Sequence, residues 1–495
     1  MSRTVFEVKR TDAAGRIGQL DIPRANLTIE TPAMLPVVNP HVQQIDPARL
    51  ATEFGAEILI TNAYVLYGSD DLRDEALDAG VHDLLGFPGA VMTDSGSFQL
   101  AEYGEIDVDT TDILDFQYRI GTDIATPVDI PVPPDADRDT AEQGVADTTE
   151  AIQTAAEFDA GDMLLSAPVQ GSTYPDLREG AAAEAYALDL DVYPIGAVVP
   201  LLREYRFDDV SRVVDAAKRG LGSDVPVHLF GAGHPMMFAL AVALGCDLFD
   251  SAAYALYARE GRYLTVGGTH HLEDLTYFPC RCPVCAETSP SAMRSWPAED
   301  REEALAAHNL HVTFEEIQHV RQAITQGELL ELVERRVRAH PRLLDGYRSA
   351  LERPGRLEAE DAATSRRPVF YVSSESAYRP EVQRHHERLG RLEVPNTLLL
   401  VDEAVEAPAD RDDRVRWTVA PPFGPIPPAL AQTYPLTAEL PQIRDTAALQ
   451  QAVTGIRALC RHRKTDIILI HDEWPAHILE QLPPSVYPVI PEVQA

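Results

Sequence analysis

From residue 33 to residue 256 the chain alternates short apolar runs with longer amphipathic stretches. The apolar runs are Ala33–Val38, Glu57–Ala63, Ala90–Gly96, Ile124–Ile130, Met163–Gln170, Val192–Val199, Val225–Ala232 and Leu248–Leu256. At the start of the third, Gly89 to Met92 is continuously apolar, as in a parallel strand buried on both faces. Helix-compatible segments such as Pro47–Phe54, Thr140–Phe158 and Phe207–Arg219 separate the runs. Eight β-runs alternating with helices predict an α/β fold, a (β/α)8 barrel. Residues 4–31 read as a lead-in hairpin region punctuated by Gly15 and Gly18. Leu100–Asp112, polar and β-branched, reads as a hairpin inserted after the third run.

The ends of the runs are unusual. Asn62, Asp94 with Ser95, Asp129, Gln170 with Gly171, Gly196, Gly231 with Gly233, and Asp250 all fall at C-terminal ends, where such barrels keep their chemistry. A lone Asp-Ser-Gly is as well explained by a turn. Acids, amides and glycines recurring at strand after strand predict a polar pocket for a planar heterocycle. Asp247 competes with Asp250 but precedes its strand and reads as a turn residue.

After the last run come Cys280, Cys282 and Cys285, with His308 on a helical stretch, Ala304–Phe314. Three thiolates and an imidazole match a closed tetrahedral zinc site, structural because no ligand position stays open. His311 competes with His308 for the fourth place. The remaining cysteines are Cys246 and Cys460, and an odd count does not fit a disulfide framework.

Beyond about Ser349 the texture changes. Residues 349–368 read as a linker, and 369–495 as a smaller α/β or α+β domain with β-runs at Val369–Val372, Thr397–Val401 and Asp466–Ile470 and helices at Pro380–Leu392 and Thr446–Arg461. Pro421–Pro428 reads as an ordered, proline-rich surface segment. Arg335-Arg336-Val337-Arg338 and Arg461-His462-Arg463-Lys464 read as helix C-termini, and these or Arg281 are where phosphate would bind.

Composition narrows the setting. Hydrophobic residues make up 45% of the chain, which excludes a disordered protein, yet the net charge is −36. The acids are spread throughout, and Lys9, Lys218 and Lys464 are the only lysines. An acid-rich, lysine-poor folded surface resembles those that work in molar salt, where the Debye length falls to about 3 Å. Long-range attraction to phosphate is screened there too, so the charge does not exclude a nucleic-acid partner. There is no apolar leader and no run long enough to span a bilayer, which predicts a cytoplasmic protein.

Together Thr93-Asp94-Ser95-Gly96-Ser97-Phe98-Gln99, Asp129-Ile130-Pro131, Val169-Gln170-Gly171, Gly196-Ala197-Val198-Val199-Pro200, Leu248-Phe249-Asp250-Ser251 and the Cys280/Cys282/Cys285/His308 set resemble the tRNA-guanine transglycosylases of the archaeal, haloarchaeal type. The likeness covers about residues 5–345. It implies a catalytic domain at 1–348 with its zinc site near 279–310, acting on tRNA. Guanine at position 15 of the D-arm would be exchanged for 7-cyano-7-deazaguanine in archaeosine synthesis, with no ATP or redox cofactor. By the same resemblance Asp250 is the nucleophile and Asp94 the general acid/base. Ser95, Phe98, Asp129, Gln170, Gly196, Ala197 and Val198 form the base pocket, and a homodimer assembles around the zinc region. The branched aliphatics of the 196–199 stretch suit an uncharged nitrile. A terminal PUA domain, present in many archaeal members, has no counterpart after Ile490.

The chemistry is coherent without the family. Cleaving an N-glycosidic bond passes through an oxocarbenium-like state that a carboxylate can trap, while a second, buried carboxylate manages the proton. Three rivals stand beside this reading. An archaeosine synthase paralogue and a non-catalytic tRNA-binding partner are disfavoured by the joint presence of Asp94, Asp129 and Asp250. A zinc-bearing barrel hydrolase of small heterocycles would need its metal at the pocket.

Overall fold

Three antiparallel strands, β1 (Phe6–Asp12), β2 (Gly15–Ile22) and β3 (Leu27–Thr31), occupy the lead-in stretch. The structure, a computed structural model, describes residues 4–96, 109–395, 397–405, 415–461 and 466–490. Each of the eight β-runs then contains a strand shorter than itself: β4 (Ala33–Pro36), β5 (Ile58–Asn62), β6 (Ala90–Asp94), β7 (Ile124–Ala125), β8 (Leu164–Leu165), β9 (Tyr193–Ile195), β10 (Val227–Leu229) and β11 (Leu248–Ser251). They form two parallel sheets, ordered β5-β6-β7-β8 and β4-β11-β10-β9. Isolated parallel bridges join the sheets at both edges, Val37 with Ile60 on one side and Ser166 with Val192 and Val169 with Ile195 on the other. The last run overshot: its end lies in a helix, Ala253–Arg259, because the Ser251 hydroxyl accepts the Ala253 N–H at 2.9 Å and turns the chain.

Side-chain alternation sorts the strands between two cores. Ile58, Ile60, Ala90, Met92 and Leu248 share one with Phe6, Leu20, Ile22 and Ile29 of the lead-in sheet. Leu59 and Val91 face the other, among helix residues Leu50, Leu66, Leu85, Ile113 and Phe116. Both faces are therefore buried, which is why the runs lack polar alternation. The first residues of β4, β6, β7, β8 and β11 all belong to the inner core, so the lead-in sheet covers the N-terminal ends of the strands.

At that end Asp247 is not a turn residue. It is fully buried, paired through both oxygens with the equally buried Arg16, and it accepts the Val227 N–H at 2.8 Å. Arg16 also donates to the carbonyls of Ser223 and Val225 at 2.6 and 2.9 Å, and Glu360 stands 3.7 Å away.

Of the stretch read as an inserted hairpin, 100–108 lies outside the described residues. Its end, Thr110–Asp112, is helical, the first turn of Thr110–Arg119, because the Asp109 carboxylate caps the Asp112 N–H at 2.8 Å. A hairpin that the sequence did not announce, β12 (Arg262–Thr265) with β13 (Gly268–His271), follows β11 and leads into the cysteine loop. A long helix, Ala298–Gln326, packs behind it. Arg336 ends the helix Leu329–Arg336 and clamps the buried Glu316 through two hydrogen bonds of 2.8 and 2.7 Å.

The chain divides into two compact units, residues 1–350 with 359–361, and 351–358 with 362–495. Pro354–Glu358, in the stretch read as linker, is a short helix. Among its described residues the second unit holds one sheet, β14 (Leu398–Asp402), β15 (Val415–Ala420), β16 (Gly424–Ile426), β17 (Ile467–Ile470) and β18 (Val486–Val489), in the order β16-β15-β14-β17-β18. Only β16 runs antiparallel to its neighbour. Val369–Val372 is not a strand; it contributes one bridge, Phe370 with Glu439. Pro421–Pro427 is buried rather than at the surface. Gly424 packs against the backbone of the helix Thr446–Cys460, and His385 and His386 reach the carbonyls of Pro425 and Pro422 at 2.9 and 3.3 Å.

Candidate active site and metal centre

Strand parity places the acids. Met92 and Leu248 face the inner core, so Asp94 and Asp250, two residues further along the same strands, project to the same side at the C-terminal ends. Asp94 sits opposite Asn62 in the β5–β6 register. The Asn62 amide reaches its Oδ2 at 3.5 Å, and the Gly96 N–H donates to its Oδ1. Gly96 adopts φ +88°, and a Cβ there would fall 2.5 Å from Tyr64 Cβ. Burial, reinforced by the negative charges of Asp129 and Asp250, pushes the Asp94 carboxyl up to about 7. Asp94 is therefore poised to hold or release a proton near neutrality.

Asp250 has a different environment. It is 8% exposed, and its Oδ1 takes two contacts, the Gly231 N–H at 2.7 Å and His228 Nε2 at 2.8 Å. Two carboxylates on one face, one protonatable near pH 7 and the other hydrogen-bonded on one oxygen, are equipped for a nucleophile and a proton carrier.

Of the other expected pocket residues, Asp129 is near enough for its charge to act on Asp94. Asp129 is buried and accepts from Gln170 Nε2 at 2.5 Å, while Gln170 Oε1 is buried without a hydrogen-bond partner among the described residues. A Cβ on Gly196 would stand 2.2 Å from Gln170 Nε2, so the main chain passes directly over that amide. Ala197 adopts φ 57°, Val198 is fully buried, and Ser95 is 1% exposed at the end of β6. Phe98 lies outside the described residues. The Gln170 loop is tied down: Ser172 Oγ, Thr173 Oγ1 and Tyr174 OH donate to the carbonyls of Pro133, Pro134 and Ala136. Arg178, fully buried and with no salt-bridge partner among the described residues, donates to the carbonyls of Val169 and Ser172 at 2.7 and 2.8 Å. Burial alone pulls its guanidinium down to about 9.

The metal-ligand candidates converge as a separate cluster. One atom each from Cys280, Cys282, Cys285 and His308 lies within 4.8 Å of all the others. His308 Nδ1 stands 3.4 Å from both Cys282 Sγ and Cys285 Sγ, and its Nε2 reaches the Leu264 carbonyl at 2.9 Å. That outer hydrogen bond fixes the ring with Nδ1 as the donor atom, the usual arrangement around a bound metal. Three sulfurs and one nitrogen at this spacing fit a tetrahedral cation. His311 is excluded from the set: its ring lies 4.8 Å from Phe54, and its Nε2 is 3.7 Å from Glu53.

Two contributors escaped the sequence reading. Tyr263 stacks on His308 at 3.7 Å between ring centres and places its hydroxyl 3.3 Å from Cys285 Sγ. His228 touches Asp250. Neither sits in a recognisable motif: His228 was visible only as one polar ring within an apolar strand, and Tyr263 lies in the short strand Arg262–Thr265, which the sequence did not announce.

A protein-family profile described as Queuine tRNA-ribosyltransferase matches residues 12–342. A tRNA-guanine(15) transglycosylase of Haloarcula marismortui is 59% identical over 484 residues, 98% of each chain. One from Haloferax volcanii is 58% identical over 485 residues, 98% of this chain and 93% of its own. One from Methanosarcina acetivorans is 50% identical over 451 residues, covering 91% and 90%.

Proposed function

The chain belongs to the queuine tRNA-ribosyltransferase family, and we propose that it exchanges guanine 15 of tRNA for 7-cyano-7-deazaguanine, the step that commits the tRNA to archaeosine. The chain is a transferase by family. Asp250 Oδ2 attacks C1′ of the ribose as the C1′–N9 bond breaks, its electron pair leaving with guanine. Asp94 supplies the proton that the departing base needs. The incoming base then loses a proton to Asp94 and displaces Asp250 from C1′, restoring the Asp94 acid, the Asp250 carboxylate and the anomeric configuration. Asp129, Gln170, Ser95, Phe98 and the Gly196-Ala197-Val198 backbone read the planar base. The target nucleotide leaves its stack to reach them.

One observation carries the proposal most: Asp94 and Asp250 share a face, with burial holding the Asp94 carboxyl near 7 while Asp250 Oδ1 is held by the Gly231 N–H and His228. The names of the near relatives support position 15 as the target. The bridges at both sheet edges support closure of the eight strands into a (β/α)8 barrel. Zinc, held by Cys280, Cys282, Cys285 and His308, cross-links the segment after β13 to the long helix and takes no part in the exchange. The zinc segment is also where two copies pair as a homodimer. The catalytic domain ends near 348, with the remainder accessory, and the protein works in the cytoplasm of a halophile. Among the described residues no helix is long and apolar enough to cross a membrane.

The test is transfer of labelled 7-cyano-7-deazaguanine into unmodified archaeal tRNA in molar KCl. Incorporation should fall on the order of 10³-fold or more for Asp250→Asn, and vanish when position 15 is no longer guanine. A folded, tRNA-binding protein that incorporates nothing would overturn the reading.

A further inference from the structure

Resting on the reading of Asp250 as nucleophile, we infer that His228 is its positioning residue. Its neutral imidazole holds Oδ1 so that Oδ2 faces the sugar, and stabilises the carboxylate when it leaves C1′. His228 lies in the middle of β10, paired in register with Leu248 two residues before Asp250. It is fully buried, and its Nε2 stands 2.8 Å from Asp250 Oδ1.

The other ring nitrogen decides the tautomer. Nδ1 is buried and has no hydrogen-bond partner among the described residues, and the ring meets Phe230 edge-on at 4.5 Å. A proton on Nδ1 would be a buried donor with no acceptor, whereas a proton on Nε2 points at a carboxylate. The neutral, Nε2-protonated ring is the form that leaves fewest groups unsatisfied.

With the Gly231 N–H also on Oδ1, both donors converge on one oxygen, and among the described residues the other has no hydrogen-bond partner. The attacking oxygen is thereby selected: Oδ2 makes the bond to C1′, and Oδ1 becomes the ester carbonyl. When the second base arrives, the C1′–Oδ2 electron pair returns to the carboxylate and negative charge reappears on Oδ1, against donors already in place. No proton moves through His228. Its contribution is greater in the breakdown of the covalent adduct than in its formation, because a hydrogen bond to a carboxylate is stronger than one to an ester carbonyl.

The experiment compares wild type, His228→Phe, His228→Gln and His228→Met by acid quench of tRNA turnover, counting the protein–RNA adduct, with steady-state rates in parallel. His228→Phe fills the space without a donor, and Gln restores an N–H at similar reach. His228→Met repeats the loss of the donor with a flexible side chain, should Phe melt early. Expected are a kcat lowered about 10- to 100-fold in Phe and Met, an unchanged KM for the base, a larger fraction of enzyme trapped as adduct, and substantial rescue in Gln. Normal adduct levels and kcat in a stably folded Phe or Met variant would overturn the inference alone. A Gln variant as impaired as Phe would do so as well, assigning His228 to packing. Absence of any adduct in an active wild type would overturn the nucleophile reading and this inference with it.

Discussion

Asp94 carries a stability cost that follows from its acidity. Its carboxyl titrates at about 7 in the folded protein against 3.8 for an ordinary aspartate, so the folded state holds the proton more tightly. Stability therefore falls as pH rises from about 4 to about 7, the sign expected when the native state binds more protons. Asn cannot ionise and escapes this penalty. Asp94→Asn should melt higher than wild type at pH 8, by on the order of 1–2 kcal/mol once solvent screening is allowed for, with the gap shrinking at pH 5. Equal gaps at both pH values, measured in the same KCl, would mean that Asp94 is not held protonated. At this scale the sequence named the acids but not their surroundings. Asp94 was legible because an apolar strand ends on it. Asp247 was misjudged because its partner, Arg16, comes from the far end of the chain. His228 looked like any polar residue in a strand until β10 and β11 lay side by side.

The elements differ in how much the sequence could say. The first eight parallel strands were legible because burial on both faces leaves continuous apolar runs. In the second unit β15, β16 and β18 were not. β15 is part exposed, β18 exposes Tyr487 and Val489, and β16 lies inside a proline-rich segment whose burial depends on distant residues, His385, His386 and the helix Thr446–Cys460. The cysteine loop falls between these cases: Cys280, Cys282, Cys285 and His308 were read together from their spacing, but the spacing alone left His311 as a competitor for the fourth place. Helical phase decides that choice, since three residues along the helix Ala298–Gln326 carry the His311 ring toward Phe54. Removing the metal should unfold this element before it touches the chemistry. Cys282→Ser, or a strong chelator acting on the wild type, should lower the melting midpoint and solubility while the surviving folded fraction keeps its exchange rate per site. Intact melting with activity selectively lost would assign the metal to the reaction.

For the molecule as a whole, the net charge of −36 is the dominant electrostatic fact. Repulsion among exposed acids weakens as salt shortens the Debye length from about 10 Å at 0.1 M to about 3 Å at 1 M. The melting midpoint should climb steeply with KCl over that range, and an uncharged osmolyte at matched osmolality should reproduce only part of the rise. A midpoint indifferent to KCl would argue that the acids are balanced locally. The ends of the parallel strands divide their labour: apolar first residues and the Arg16–Asp247 pair at one end, Asp94, Asp129, Gln170 and Asp250 at or beyond the other. For protein engineering this separation is an advantage. A library that varies only the loops beyond the carboxyl ends, with Asp94, His228 and Asp250 held, samples new heterocycles on a chassis whose folding determinants it leaves intact.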